Sequence, residues 1–199
     1  MHKTLQVIIT SLFIFLSSSL KSEENIKKIF SYLQNFSSLK SDFIQINNNG
    51  NVLTGKILLS RPGKIRIEYN ENPLIIISDG KKVATINKKL KNVTFYSLND
   101  IPIKMLLFNN LDRKKVTILN FEEKDNSLFL NLTENKFADQ GFIEIIFEKN
   151  PFQMKKWTVV SSDQSKTEIL LNNLEFNSII KRSNFDISEE DPRSQIWRN

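Results

Sequence analysis

The chain has 199 residues, of which 40% are hydrophobic and 25% charged, so it is long enough for one domain with a sizeable core. It contains no Cys and one His, His2, and this composition excludes a Ser-His-Asp triad and a Cys nucleophile from everything after the N-terminus. The formal net charge of +6 includes Lys pairs at predicted turns and strand ends, which favours a solvated surface over a nucleic-acid interface. We expect no metal, no cofactor and no nucleic-acid partner.

The first 22 residues have the pattern of a secretory signal peptide. Lys3 supplies a positive start, an almost unbroken apolar run covers Leu5 to Leu16, and three serines follow at positions 17–19. The run is shorter than the roughly 20 residues that span a bilayer, which favours export over the alternative of an N-terminal anchor. Cleavage near Ser19 or Ser22 is expected to remove this signal peptide, assigned to residues 1–22, and to leave 23–199 as a single exported domain. Since it has no Cys, this domain has no disulfide and cannot itself be a lipoprotein acylated on Cys.

An amphipathic helix is predicted at the start of the mature chain. Ser22 is a suitable N-cap, and Glu23 and Glu24 lie in the first turn, where the helix dipole favours acidic residues. Apolar residues then recur at helical spacing as far as Phe36. The stripe that they form, which must pack on an apolar surface, consists of Ile26, Ile29, Phe30 and Leu33.

After this helix the apolar period changes to two, which is typical of strands. Lys64 to Tyr69 alternates cleanly, so we expect Ile65, Ile67 and Tyr69 on a concave face, and Arg66 and Glu68 toward solvent. The predicted strands are 43–46, 52–60, 64–69, 74–78, 83–87, 93–96, 116–121, 128–132, 142–147, 156–160 and 167–174. A last strand is predicted around Phe185, with 188–199 loosely ordered.

One short helix interrupts the strands. Asn99 or Asp100 is a candidate cap, and Pro102 suits the first helical turn. The residues that follow are almost all apolar: Ile103, Met105, Leu106, Leu107 and Phe108. Because about ten consecutive strands without parallel crossovers form an antiparallel sheet that curls, we predict a mainly β fold, an incomplete antiparallel β-barrel covered by a lid of short helices. Such a fold encloses an apolar space, which the short helix is predicted to plug.

Few residues remain that support catalysis. None of the three Gly-Lys pairs is followed by Ser or Thr, so no phosphate-binding loop is present. Paired carboxylates remain a possibility, since glycoside hydrolysis needs only two acids. However, neighbours such as Glu122 and Glu123 in a strand point to opposite faces and do not form a pair. These patterns favour a binding protein over an enzyme.

The segment Gly55 to Tyr69, which contains Arg61-Pro62-Gly63-Lys64, resembles the LolA-family pattern of a glycine, an apolar strand and Arg-Pro-Gly-Lys. Phe43-x-Gln45 upstream and Ile77 to Lys81 downstream occur in the expected order. The resemblance covers roughly residues 24–187, and its first half is more specific than its second. Ile65 and Ile67 depart from the pattern, because aromatic residues are usual there.

This resemblance implies a monomeric periplasmic carrier, an incomplete β-barrel that shields the acyl chains of lipoproteins and transports them to the outer membrane. It implies two partners besides the lipoproteins: an inner-membrane lipoprotein-releasing ABC transporter and, where one exists, an outer-membrane acceptor. Arg61 matches the family arginine that bonds to the lid. The other candidate cargo and lid residues, predicted from the apolar patterns above, are Phe30, Leu33, Phe43, Ile65, Ile67, Tyr69, Ile103, Leu106 and Leu107. The alternatives are a periplasmic regulator that senses lipids or lipoproteins with the same half-barrel, and a carboxylate-dependent hydrolase.

Overall fold

The computed structural model describes residues 21–101, 103–108 and 111–194. Its helices are α1 (21–34), α2 (Lys104–Leu107) and α3 (Ile187–Glu190). Its strands are β1 (Ser38–Asn47), β2 (Val52–Ser60), β3 (Lys64–Tyr69), β4 (Leu74–Asp79), β5 (Lys82–Asn87), β6 (Asn92–Ser97), β7 (Val116–Lys124), β8 (Ser127–Glu134), β9 (Gly141–Lys149), β10 (Phe152–Ser161) and β11 (Lys166–Phe176). Short 3-10 turns cover Leu98–Asp100, Asn135–Gln140 and Arg182–Phe185.

The described strands form one antiparallel sheet in the order β6-β5-β4-β3-β2-β1-β11-β10-β9-β8-β7. Neighbours in the sheet are neighbours in the chain except at the centre, where β1 pairs with β11 and Phe43 lies opposite Leu171. The two edge strands, β6 and β7, do not pair with each other, so the sheet stays open. This arrangement confirms the predicted incomplete barrel, with α2 in the connection between the edge strands.

Helix α1 packs on one face of the sheet and makes it the core face. Ile29, Phe30 and Leu33 are buried in one cluster that also includes residues of β1–β3 and β8–β11. A flat sheet of eleven strands would be about 48 Å wide, whereas a helix with its side chains is about 10 Å across. Since strands from both halves of the sheet share a cluster with α1, the sheet must curve around the helix.

Strand β3 has the predicted register but not the predicted surroundings. Ile65 is buried on the core face, and Ile67 and Tyr69 pack against the same cluster. Arg66 points to the outer face, yet it is only 9% exposed, so its predicted position in solvent is wrong. The reason is that the C-terminal segment covers this face: the Arg66 guanidinium donates hydrogen bonds to the carboxylate of Glu68 and to the carbonyl of residue 184.

An ion-pair network holds the C-terminal segment on the outer face. Glu190 lies 2.6 Å from Arg66 Nη2 and 2.8 Å from Lys88 Nζ. Burial alone would raise the pKa of Glu190, but the hydrogen bonds from Lys88 and Arg66 hold it below its ordinary value. The lowered pKa means that the ionised form of Glu190 is stabilised in the folded protein. The network therefore contributes stability at neutral pH that is lost as the pH falls through the pKa of the folded state.

The strand predicted around Phe185 is wrong, because that residue lies in a 3-10 turn followed by α3. Residues 188–190 are helical rather than loosely ordered, and 195–199 lie outside the described residues. Ile187 of α3 completes a second buried cluster with residues of β4 and β5, namely Ile75, Ile77, Ala84 and Ile86. These two strands are apolar on both faces, so they need cover on the outside as well as the inside.

Two further differences concern the N-terminal half. Lys21 is already helical, so Ser22 lies inside α1 rather than at its N-cap. Strand β1 begins at Ser38, five residues earlier than predicted, because polar residues between Leu39 and Phe43 obscure the apolar period. The predicted signal peptide falls almost entirely on 1–20, outside the described residues. Within the described ranges, no helix is both long and apolar enough to cross a bilayer.

The outer cluster predicts a stability difference between two isoleucines of the C-terminal segment. Ile187→Ala should lower the free energy of unfolding by about 2 kcal/mol, because it leaves a cavity between α3 and the sheet. Ile179→Ala is the matched control: this side chain is 95% exposed, so its loss should change stability by less than about 0.5 kcal/mol. Urea unfolding measures both variants. Equal effects would show that α3 does not stabilise the sheet.

Candidate functional site

The turn between β2 and β3 brings Arg61 beneath both core-face helices. Gly63 has a φ of +75°, and a Cβ there would lie 2.9 Å from the Cα of Gly80, so the turn requires glycine. The Gly63 amide donates a 2.7 Å hydrogen bond to the carbonyl of Leu107 in α2. The Arg61 amide donates to the carbonyl of Ser37, just after α1. The backbone of the Arg-Pro-Gly turn is therefore in contact with both helical regions.

The Arg61 side chain adds a second set of bonds to the same helices. Its Nε and Nη2 donate to the carbonyl of Leu106, at 3.1 and 2.7 Å. Its Nη1 donates to the carbonyls of Leu33 and Phe36, at the C-terminal end of α1. The Phe36 ring lies against the guanidinium, with 3.7 Å between its centroid and Cζ. A planar group with several donors can join two helices in this way, as Lys cannot.

Neutral groups, the backbone carbonyls and the Phe36 ring, stabilise the charge of Arg61 in the described structure. The side chain is 8% exposed, and its hydrogen bonds all go to backbone oxygens. Burial lowers the pKa of Arg61 to about 10, so it remains charged at pH 7. If α2 moved away, water would solvate the guanidinium and offset part of the lost bonding. The contact therefore has a specific geometry, yet breaking it would cost only part of the free energy of its hydrogen bonds.

The nine apolar residues predicted from the sequence meet in one place. Six of them are buried in the main cluster: Phe30, Leu33, Phe43, Ile65, Leu106 and Leu107. The other three, Ile67, Tyr69 and Ile103, are partly buried and pack against it. The structure thus places the two leucines of α2 in the core formed by α1 and the sheet. This is a closed arrangement, in which the protein's own side chains cover the core face.

The glycine of the Gly55 to Tyr69 motif makes room for an aromatic pair. Gly55 lies directly opposite Phe43 and Tyr69, and a Cβ on it would be 2.6 Å from the Phe43 ring. The Phe43 and Tyr69 rings meet edge to face, with centroids 5.4 Å apart. The Tyr69 hydroxyl donates to Gln45 Oε1 at 2.8 Å, and burial raises the pKa of Tyr69. The half-buried Gln45 and Tyr69 form a polar rim on the core face.

Sequence reasoning missed a second attachment of α2. Lys104 is 6% exposed, and its Nζ lies 2.9 Å from Glu134 Oε2 at the end of β8. The same Nζ donates to the carbonyl of Asn99 at 3.2 Å. A single charged residue within an otherwise apolar short helix was the available signal, because such a residue needs a partner once the helix is buried. Helix α2 is therefore attached to β8 as well as to Arg61.

Sequence reasoning also missed Trp157, which lies on the core face of β10. It is 2% exposed and sits between Ile145 and Ile169 in the register of the sheet. Its Nε1 is buried without a hydrogen-bond partner among the described residues. An unsatisfied buried donor costs about 1–3 kcal/mol, so most folded proteins contain few of them.

The members of the two acidic doublets, Glu122-Glu123 and Glu189-Glu190, are either engaged in ion pairs or exposed. Glu123 is engaged by Lys149 at 2.9 Å and by Lys21 at 3.2 Å, and these hydrogen bonds hold its pKa below the ordinary value. Glu122 and Glu189 are exposed, and Glu190 belongs to the network with Arg66. No group of three or more His, Cys, Asp or Glu suited to a metal ion occurs among the described residues.

A family model described as outer membrane lipoprotein carrier protein LolA matches residues 34–188, more than three quarters of the chain. The chain belongs to the LolA family. The match includes the whole sheet, Arg61 and α2. Members of this family are non-enzymatic binding and carrier proteins.

The chain is also similar to individual proteins. The outer-membrane lipoprotein carrier protein of Idiomarina loihiensis is 26% identical over 179 residues, which cover 82% of each chain. An uncharacterized protein of Rickettsia prowazekii is 26% identical over 156 residues, 76% of this chain and 73% of the relative. A putative outer membrane lipoprotein-sorting protein domain from Vibrio parahaemolyticus has a similar structure, with a TM-score of 0.50 at 8% identity, covering 84% of this chain and 97% of that one. At 8% identity, the structural likeness supports the fold alone.

The ion pair of Lys104 predicts a measurable effect on how firmly α2 is held. Lys104→Met leaves the Glu134 carboxylate without that partner, so α2 should detach more often. The Gly63 amide reports this, because it donates to the carbonyl of Leu107, and its hydrogen exchange should become about tenfold faster. Lys115→Met is the control, since Lys115 is exposed at the start of β7. Unchanged exchange at Gly63 in Lys104→Met would contradict the attachment.

Proposed function

We propose that this LolA-family protein shields the acyl chains of lipoproteins and carries them through the periplasm from the inner to the outer membrane. The observation that carries the proposal is the bonding of Arg61 to α1 and α2, because these helices cover an apolar core face that cargo would occupy. In this proposal the acyl chains enter between the sheet and α2, and they replace Leu106 and Leu107 against the core face.

The energetics of such an exchange suit a carrier. Burying one methylene contributes about 0.8 kcal/mol, so a long acyl chain cannot leave a membrane at a useful rate without another apolar environment. In the closed protein, the core face is already covered by leucines. Cargo would therefore exchange one apolar contact for another, and the net affinity would be moderate. Moderate affinity allows the cargo to be passed on.

Arg61 is proposed to act as the latch of this lid. Its bonds to Leu106 exist only while α2 lies on the core, so they favour the closed state and oppose loading. Loading then needs an energy-driven partner, and release is favoured by the return of α2. These requirements match an inner-membrane lipoprotein-releasing ABC transporter as donor and, where one exists, an outer-membrane acceptor.

Native mass spectrometry tests the carrier function directly. The protein should be purified from the periplasm of its own organism without detergent, and a fraction of it should carry acylated lipoproteins at one per monomer. Release of the cargo into outer-membrane vesicles should return the mass to that of the free chain. A protein recovered only without acylated cargo, or recovered outside the periplasm, would contradict the proposal.

The latch predicts different transport steps for two Arg61 variants. Arg61→Leu should still accept cargo but should deliver it about 5-fold or more slowly, because the loss of charge-assisted hydrogen bonds removes about 1–3 kcal/mol from the closed state. Arg61→Lys should be intermediate, since it keeps the charge but not the fork. The measurement is transfer of a radiolabelled lipoprotein from each purified variant to outer-membrane vesicles.

Arg113→Leu is the matched control for this experiment. Arg113 also contacts α1, through Glu23 and the Phe30 ring, but from the exposed surface. It should therefore deliver cargo at the normal rate. If Arg61→Leu delivers as fast as the unmodified protein, Arg61 is a strand-end residue and not a latch.

A further inference from the structure

The core face contains one polar group that the closed structure leaves unused. Among the described residues, the buried side-chain atoms without a hydrogen-bond partner are Trp157 Nε1, Thr158 Oγ1 and Glu134 Oε2. Glu134 is ion-paired with Lys104, and Thr158 faces the outer side of the sheet, next to Trp157 in the strand. Of these three residues, Trp157 alone belongs to the main core cluster.

Among the described residues, no group accepts a hydrogen bond from this indole donor. Its direct neighbours across the sheet are Ile145 and Ile169, both buried and apolar. The backbone oxygens of such interior strands are used in the sheet itself. A trapped water would need two or more polar partners, and the flanking isoleucine side chains provide none. The indole N–H therefore has a free bonding direction within an apolar surface.

Trp157 also lies in line with the polar rim of the core face. The cross-strand row that runs through Trp157 and Ile169 passes through Gln45 in β1, two strands and about 10 Å away. Gln45 is half-buried and bonded to Tyr69. A ligand held on the core face with its head group toward this rim would place that head group near the indole.

We propose that the Trp157 indole N–H binds the ester or amide carbonyl at the head of an acyl chain held on the core face. The inference rests on the proposed carrier function and adds a residue that selects acyl groups. An acyl chain is a hydrocarbon with a carbonyl acceptor at one end, and that acceptor complements an isolated donor within an apolar surface. Since the indole N–H can only donate, it favours a carbonyl over a plain alkyl chain or an ammonium head.

A matched pair of ligands separates the carbonyl from the hydrocarbon. The probes are 1,2-dioctanoylglycerol, which has two ester carbonyls, and 1,2-dioctylglycerol, the diether of the same chain length that has none. The unmodified protein should bind the diester about 5- to 10-fold more tightly than the diether, the change expected from one buried hydrogen bond. Trp157→Phe keeps an aromatic ring but removes the donor, so it should bind both ligands equally, with the diether affinity little changed.

A second measurement uses Trp157 as its own reporter, in case the Phe variant does not fold. The chain has two tryptophans, so Trp197→Phe leaves Trp157 as the single emitter. The diester should shift its emission to longer wavelength by hydrogen bonding to the indole, and the diether should not. The same Trp197→Phe chain serves as the control for the removal of a tryptophan in the binding experiment.

The outcomes distinguish this inference from the carrier proposal. If both ligands bind with equal affinity, or if Trp157→Phe keeps the preference for the diester, the role of Trp157 is wrong while acyl-chain binding stands. Equal emission with the two ligands would overturn the inference in the same way. If neither ligand binds the unmodified protein, the carrier function itself is contradicted and the inference falls with it.

Discussion

The closed structure depends on one guanidinium that is bonded to three backbone carbonyls of two helical regions. Apolar packing holds α1 and α2 on the core face, but such packing has no direction and does not fix their positions relative to the strands. The hydrogen bonds of Arg61 supply that direction. Because the sheet is open and its edge strands do not pair, these bonds also set how the helices close it. The Arg-Pro-Gly turn is therefore the point where sheet, long helix and lid meet.

The two faces of the sheet are stabilised separately, and this separation matters for a protein with a lid. The core face is covered by α1 and α2, while the outer face of β3–β5 is covered by α3 and the network of Arg66 with Glu190. Displacing α2 exposes only the core face. The outer cluster would remain intact and keep the strands in register. Arg66 thus stabilises the sheet, whereas Arg61, five residues earlier, contacts α2, the proposed lid.

Local patterns predicted most of the fold. The alternation of Lys64 to Tyr69 and the glycine turns gave the strands and the register, and the Arg-Pro-Gly-Lys segment indicated the family. Features that depend on distant contacts were not predicted. Arg66 has the local pattern of a solvent-exposed residue, because nothing near it in the sequence shows that α3 covers it. Phe185 has neighbours typical of a strand, although it lies in a 3-10 turn. Lys104 and Trp157 were missed because their burial, and the presence or absence of a distant bonding partner, depend on the folded chain and not on the local sequence.

Two polar groups on the core side have opposite requirements in the proposed cycle. Arg61 has its acceptors when α2 lies on the core, and it loses those of Leu106 when cargo displaces the helix. Trp157 has no acceptor among the described residues in the closed state, and a carbonyl on the cargo would supply one. Loading therefore breaks bonds at one residue and makes a bond at another, while apolar contacts are exchanged for similar ones. Since neither state satisfies both residues, neither is favoured strongly, and a carrier that must both accept and release its cargo requires this balance.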